Sequence, residues 1–262
     1  DLGLPAIHIM TEAMLEDIAI MASNPVYWSF NFWSRNVGMN DQSWPCGYFW
    51  EHYYAYIKIA NDVISVIEVS DDMPEINKHY LGYGYAYRAM CYLDLARMYE
   101  PKENNYTDVS KVLGLTVPII TEKTTAEQIG HNPRVQRDVM YEFILSDLEM
   151  AAKLLETAGN GYTTPTLAAV YGMYAKAYLE MGYWKEGGDV EAFKKAAEYA
   201  RLAIETSGKT PLTEAQWHDP ATAFCDAAGN NSWMWYYNIP RNHMGNLCNP
   251  TGYLAGASEW GY

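Results

Sequence analysis

Basic residues are scarce in this chain of 262 residues: 18 Lys and Arg stand against 32 Asp and Glu, a formal net charge of −14. A surface of that sign repels phosphates, so nucleic acid and anionic membrane surfaces are excluded as expected partners, and neutral or cationic ligands remain. Cysteine is also sparse. Cys46, Cys91, Cys225 and Cys248 show neither C-x-x-C pairing nor metal-ligand spacing, so no structural metal is expected and the compartment is left open. Cys91 falls inside a helical pattern and reads as a buried free thiol. No uninterrupted apolar run of about 18 residues occurs, so no membrane-spanning helix is expected. G-x-S-x-G, P-loop and dinucleotide fingerprints are missing. Glu51-His52 lacks H-E-x-x-H spacing, and Glu12/Glu16 and Asp71/Asp72 are pairs that helix surfaces supply by chance. No cofactor and no catalytic residue is therefore expected.

What is abundant is aromatic side chain, with 23 Tyr and 9 Trp. Flat rings match the apolar faces of pyranoses, although rings of this kind also build ordinary cores. The chain is organised around Gly82–Glu100. Tyr85, Ala89, Tyr92, Ala96 and Tyr99 recur at steps of four and three, which places them along one side of a helix with Arg88, Asp94 and Arg97 off that stripe. Small Ala89 and Ala96 allow a second helix to come close, and the tyrosines fill the gaps.

Residues 5–22 read as a helix opened by Pro5. Residues 23–48, rich in Asn, Ser, Gly and Pro, read as a loop carrying Trp28, Trp33 and Trp44. Phe49–Glu68 is helical, with Tyr53, Tyr56, Ile57, Ala60, Ile64 and Ile67 on one face. Gly114–Ile120 is extended, because Pro118 opposes a helix. Arg137–Glu156 is a strong helix lined by Met140, Ile144, Leu148, Ala151 and Leu155. Thr164-Pro165 then opens another, running through TLAAVYGMYAKAYLEMGYW. A shift of 86 residues lays Tyr85 on Tyr171, Ala89 on Ala175, Tyr92 on Tyr178, Leu93 on Leu179 and Ala96 on Gly182. Each copy is followed by a second amphipathic helix, Arg137–Glu156 and Glu191–Thr206. The pattern is that of tetratricopeptide-like helix pairs with long loop insertions. Asn231–Pro240 reads as a short strand or extended segment, with one face of Trp233–Trp235 in the core.

Taken together, YIKIANDVI (56–64), AYRAMCYLDLARMYE (86–100), LTVPII (115–120), VMYEFILSDLEMAAKLL (139–155), TLAAVYGMYAKAYLEMGYW (166–184) and AAEYARLAIE (196–205) resemble the SusD/RagB family. The resemblance covers roughly residues 50–206 and shows the same order, including the helix form R-A-x-x-Y-x-x-L-x-R-x-Y. It implies a mainly α fold of tetratricopeptide-like pairs with a few short strands. It also implies non-catalytic capture of an oligosaccharide or polysaccharide at the cell surface, and delivery to a TonB-dependent, SusC-like outer-membrane transporter. Members are lipoproteins of the Bacteroidetes outer membrane, about twice this length, that begin with a lipidated cysteine. This chain shows neither that cysteine nor most of the C-terminal half. The expectation is thus one SusD-like domain over 1–262, with repeat helices over about 49–206 and an irregular, incomplete segment over 207–262.

Loops lie at the surface, so rings there are less readily core. Trp28, Trp33 and Trp44 are the candidate sugar-stacking rings, with Arg35, Asn36, Asp41 and Gln42 near enough in sequence to hydrogen-bond hydroxyls. Trp260 and Tyr262 in the tail are further candidates. The competing assignment is that these rings staple the loop to the helices, and Trp184, at the end of a repeat helix, is expected to be structural. The alternative function is a tetratricopeptide-type module that binds a peptide on its concave helix faces.

Overall fold

The computed structural model describes Thr11 and residues 44–70, 72–159, 161, 163–219 and 231–236, with 44 and 45 described by backbone. Two compact units divide the chain: residues 1–54 with 238–262, and residues 55–237. The described elements are α1 (Trp44–Val66), α2 (Glu75–Tyr99), α3 (Ala126–Ile129), α4 (Arg137–Leu154), α5 (Leu167–Gly182), α6 (Val190–Ser207) and α7 (Glu214–His218). The expected helix over 5–22 lies outside the described residues.

In the larger unit α2 is the hub. Pro74 sets its start, and Glu100 ends it in an extended conformation (φ −73°, ψ 117°) ahead of Pro101, which disfavours a helical predecessor. The Tyr/Ala stripe is the middle of its buried face, with Ala89, Tyr92 and Ala96 almost fully enclosed. Burial runs well beyond the stripe, from Cys91 and Gly84 on one flank to Leu93 and Ala86 on the other, an arc of about 220° at 3.6 residues per turn. Arg88, off the stripe, falls inside this arc at 3% exposure. Asp94 and Arg97 do lie outside the arc. Two glycines permit the close packing that so wide a face demands. A Cβ on Gly82 would lie 2.7 Å from Leu155, and one on Gly84 would lie 3.0 Å from Ile64 of α1.

Helix α4 presents Met140, Tyr141, Ile144, Asp147, Leu148 and Ala151 inward, the helical spacing expected of it, and packs along α2; α5 packs along α6, and α4 joins the two pairs. The two expected pairs are thus present. Their first members differ in burial, however. Leu93 is 2% exposed and its counterpart Leu179 is 45% exposed, because α2 is enclosed by neighbours and α5 faces outward. The cap of α5 is Thr166, whose side chain accepts from the Ala169 N–H, and not Thr164; Pro165 precedes the cap. Asp189 caps α6, and Gly208 closes it at φ 60°, in the left-handed region.

Among the described residues no strand forms. Of the extended run expected over 114–120, Gly114 instead sits in a turn at φ 76°, Leu115 makes one antiparallel bridge, to Gln136, and 116–120 carry no regular structure. Thr116 N–H donates to the Val135 carbonyl (2.8 Å) and Arg137 N–H to that of Gly114 (2.8 Å). Pro118 and Pro133 have no N–H, so the ladder cannot lengthen. Of the short strand or extended segment expected over 231–240, no strand forms over 231–236, where the backbone bends at 231, 234 and 235. Thr210 N–H reaches the Asn231 carbonyl (3.0 Å), but the next residue is Pro211, which cannot donate. Trp233, Met234 and Trp235 are all half-buried without alternation; residues 237–240 lie outside the described residues.

Candidate functional site

Of the sequence-derived candidates, Trp28, Trp33, Arg35, Asn36, Asp41, Gln42, Trp260 and Tyr262 lie outside the described residues. Trp44 is described by its backbone and is the first residue of α1, so the aromatic loop ends before 44 and not at 48. Pro45 at the first turn suits that start, since an N–H there has no helical partner to lose. Along the first turns of α1, Tyr48 and His52 rings pack with centroids 3.9 Å apart, tilted by 37°, and Trp50 and Tyr54 rings 4.8 Å apart, tilted by 41°.

Inside the larger unit, the residues that carried the family resemblance converge on one buried cluster. Arg88 Nε and Nη2 donate to Asp147 Oδ2 and Oδ1 at 2.7 and 2.8 Å. Its Nη1 donates to Asn61 Oδ1 and Glu122 Oε2, both at 2.7 Å. Asn61 Nδ2 passes on to the Ile120 carbonyl at 3.0 Å. The Tyr92 hydroxyl donates to that same carbonyl (2.9 Å) and accepts from the Ile120 N–H (2.7 Å). Burial works against the Arg88 charge, but hydrogen bonds to Asp147 and Glu122 outweigh it and raise its pKa. Burial pushes the Asp147 carboxyl up, against the pull of Arg88. Glu122 is less enclosed; burial opposes its charge, yet the Arg88 hydrogen bond holds it below the usual carboxylate value. With every polar atom of Arg88 and Asp147 turned inward, this cluster fixes the scaffold and does not offer a ligand its charges.

The cluster anchors Ile120 and Glu122, and the segment they belong to, closed by the Leu115–Gln136 bridge, carries a cleft of about 330 Å³ walled by Ile119, Thr124, Gln128, His131 and Asn132. Asn132 Nδ2 donates to the Ile119 carbonyl (2.6 Å). Thr125 caps α3, and its N–H in turn donates to Gln128 Oε1 (2.8 Å). Thr121 N–H donates to Thr124 Oγ1 (2.9 Å). The sequence reading passed over this cleft, because its residues form no spaced motif. The single signal was the Thr-Ala-Glu-Gln run, a capping box that predicts an ordered turn.

The helix-pair tyrosines are turned to one another. Tyr174, Tyr178 and Tyr199 lie within 13° of parallel, with ring centroids 4.5 Å apart for Tyr174–Tyr199 and 5.6 Å for Tyr178–Tyr199. Their faces hold α5 to α6. Trp184 packs edge-on against Tyr141 (4.8 Å) beneath the Arg137 guanidinium, in the structural role expected of it. The Trp235 ring packs edge-on against Tyr87 at 5.3 Å. Among the described residues, no helix is long and apolar enough to cross a membrane.

Residues 6–179 match the SusD-like family described as "Starch-binding associating with outer membrane". The chain belongs to the SusD-like family. The match begins upstream of the resemblance read from the motifs and takes in the tryptophan-bearing stretch 23–48. Two SusD-like proteins of Formosa agariphila are 28% and 26% identical to it over 65% and 68% of this chain. The chain spans under a third of their length, 29% and 31%. Among solved structures, a SusD-like carbohydrate binding protein of Bacteroides vulgatus superposes with a TM-score of 0.68 at 19% identity, covering 92% of this chain and 46% of that one. A structure described as being with xylogluco-oligosaccharide superposes with a TM-score of 0.53 at 21% identity, over 72% of this chain and 35% of that one. At these identities the likeness establishes the shared, mainly helical SusD-like fold.

Proposed function

We propose that this protein captures an oligosaccharide or polysaccharide without cleaving it, at the outer surface of a bacterial outer membrane, and passes it to a TonB-dependent transporter. The family match over residues 6–179 carries the reading. The composition supports it: an acidic, aromatic-rich chain suits an uncharged ligand that binds by ring stacking and hydrogen bonds. Trp28 and Trp33, with Arg35 and Asp41, are the proposed binding residues on the loop, with Trp44 at the start of α1 and Trp260 and Tyr262 on the tail. The Gly-, Asn- and aromatic-rich composition of these two stretches suits such contacts. Outer-membrane attachment through a lipid anchor and docking to a SusC-like barrel belong to the same proposal.

Calorimetry and affinity electrophoresis over a glycan panel test the capture step. Binding to at least one glycan is expected, with loss on combined Trp28→Ala, Trp33→Ala and Trp44→Ala substitution and no release of reducing ends. Absence of binding to every glycan by the full-length protein overturns the reading. Crosslinking in source cells tests the transporter: recovery of a TonB-dependent barrel is expected.

A further inference from the structure

We propose that the cleft walled by Ile119, Thr124, Gln128, His131 and Asn132 is a second binding site, for one uncharged polyhydroxylated ring such as a single sugar unit. It goes beyond the capture reading, because it shares no residue with the tryptophan-bearing loop or the tail.

The size comes first. A cleft of about 330 Å³ sits at the small end of ligand pockets, about 300 to 1,000 Å³, and has room for one small ring. The lining comes next. In a chain of net charge −14, the walls are two amides, a hydroxyl, an imidazole and one aliphatic side chain. Neither a carboxylate nor an ammonium group is among them, so the matching ligand is uncharged.

The polar atoms are also pre-set. Asn132 has its Nδ2 bonded to the Ile119 carbonyl, which leaves Oδ1 as an acceptor. Gln128 has Oε1 bonded to the Thr125 N–H, which leaves Nε2 as a donor. An amide acceptor, an amide donor and an imidazole that can serve as either complement neighbouring hydroxyls, each of which both donates and accepts. Ile119 supplies an apolar patch for C–H groups.

The wall does not need to be ordered by the ligand. Tyr92 holds both backbone groups of Ile120, and Arg88 holds Glu122, so the residues between Ile119 and Thr124 are anchored to buried side chains of α2. A site ordered in advance loses less affinity to the entropy of binding.

Side-chain amide NMR of the full chain, titrated with glucose, galactose, mannose, xylose and glycerol, tests the site. Saturable movement of the Gln128 and Asn132 amide signals with at least one monosaccharide, and none with glycerol, is expected. Gln128→Glu keeps the oxygen that accepts from Thr125 and removes the Nε2 donor. It should weaken that binding about tenfold, the worth of one hydrogen bond, at unchanged thermal midpoint. His131→Ala should weaken it as well. No saturable movement with any monosaccharide overturns the proposal, as does unchanged affinity in Gln128→Glu. An equal response to glycerol overturns the ring and leaves an adventitious additive only. Polysaccharide binding with a silent cleft sinks this inference and spares the capture reading; cleft binding without polysaccharide binding does the reverse.

Discussion

Arg88 on α2 grips Asp147 on α4 through two parallel hydrogen bonds, Nε to Oδ2 at 2.7 Å and Nη2 to Oδ1 at 2.8 Å, and both side chains are 4% exposed. The pair is desolvated, bidentate and flanked by Asn61 and Glu122, so neither charge tolerates the loss of the other. Arg88→Ala leaves Asp147 buried without its counter-ion and is expected to cost about 3–5 kcal/mol. Arg88→Lys should recover only part of this, since an ammonium cannot reproduce the fork. A combined Arg88→Met and Asp147→Leu chain should be more stable than Arg88→Ala. Urea midpoints of the three chains check this; a loss under 1 kcal/mol in Arg88→Ala would show that the pair does not hold α2 to α4.

That grip also shows what the sequence could and could not disclose. The order and pairing of the helices were legible because apolar spacing is local, and α4 buries the residues its spacing selects. The burial of Arg88 was not legible because the stripe marks only the centre of a wide buried arc. A buried arginine carries no local signature when its partners lie 27, 34 and 59 residues away. The motif letters that carried the resemblance, Asn61, Arg88, Tyr92 and Asp147, gave no hint that they touch. The cleft was invisible for the same reason: its walls meet through turns and caps, not through a periodic face. The loss of the expected strands was written in Pro118, Pro133 and Pro211, each of which removes a ladder donor.

Glu122 gives the same cluster a pH dependence. Burial opposes its charge, but the Arg88 hydrogen bond lowers its pKa, so its contribution is fully present above the unfolded value of about 4.3 and is lost as pH falls through the lower folded value. Asp147 runs the other way. Its raised folded pKa means that its contribution declines as pH rises from about 3.9 through the folded value. Glu122→Gln should therefore be less stable than the parent at neutral pH, and the deficit should shrink on acidification below about pH 4. Urea midpoints across that range read it directly; a deficit that stays constant with pH would assign the loss to packing instead.

Ala89 tests whether the central stripe is scaffold or ligand face. It is 1% exposed, between Tyr92 and Tyr85 on the side of α2 that meets its neighbours. Ala89→Trp has no room, and overpacking is expected to cost at least about 1–3 kcal/mol. The folded fraction should still bind glycan with parent affinity. Calorimetry corrected for the active fraction separates the two roles: a chain of normal thermal midpoint that has lost binding would make this stripe part of the site.

Phe193 is clamped between two glycines, and this makes the α5–α6 turn sensitive to added bulk. A Cβ on Gly182 would lie 2.3 Å from the ring, and one on Gly188 would lie 2.6 Å from its other edge. The ring therefore cannot retreat from one without striking the other. Gly188 also sits at φ 84°, where a side chain is strained regardless of space. The Gly182 carbonyl, meanwhile, accepts from the Asp189 N–H at 2.7 Å and so closes the turn that starts α6. Gly182→Ala, mild in an exposed helix, should here cost about 1–3 kcal/mol. If the ring is the cause, Phe193→Leu in the Gly182→Ala background should restore part of the loss, although Phe193→Leu alone destabilises. Thermal midpoints of the four chains close the cycle, and simple additivity of the two substitutions would mean that the alanine acts on the backbone and not through Phe193.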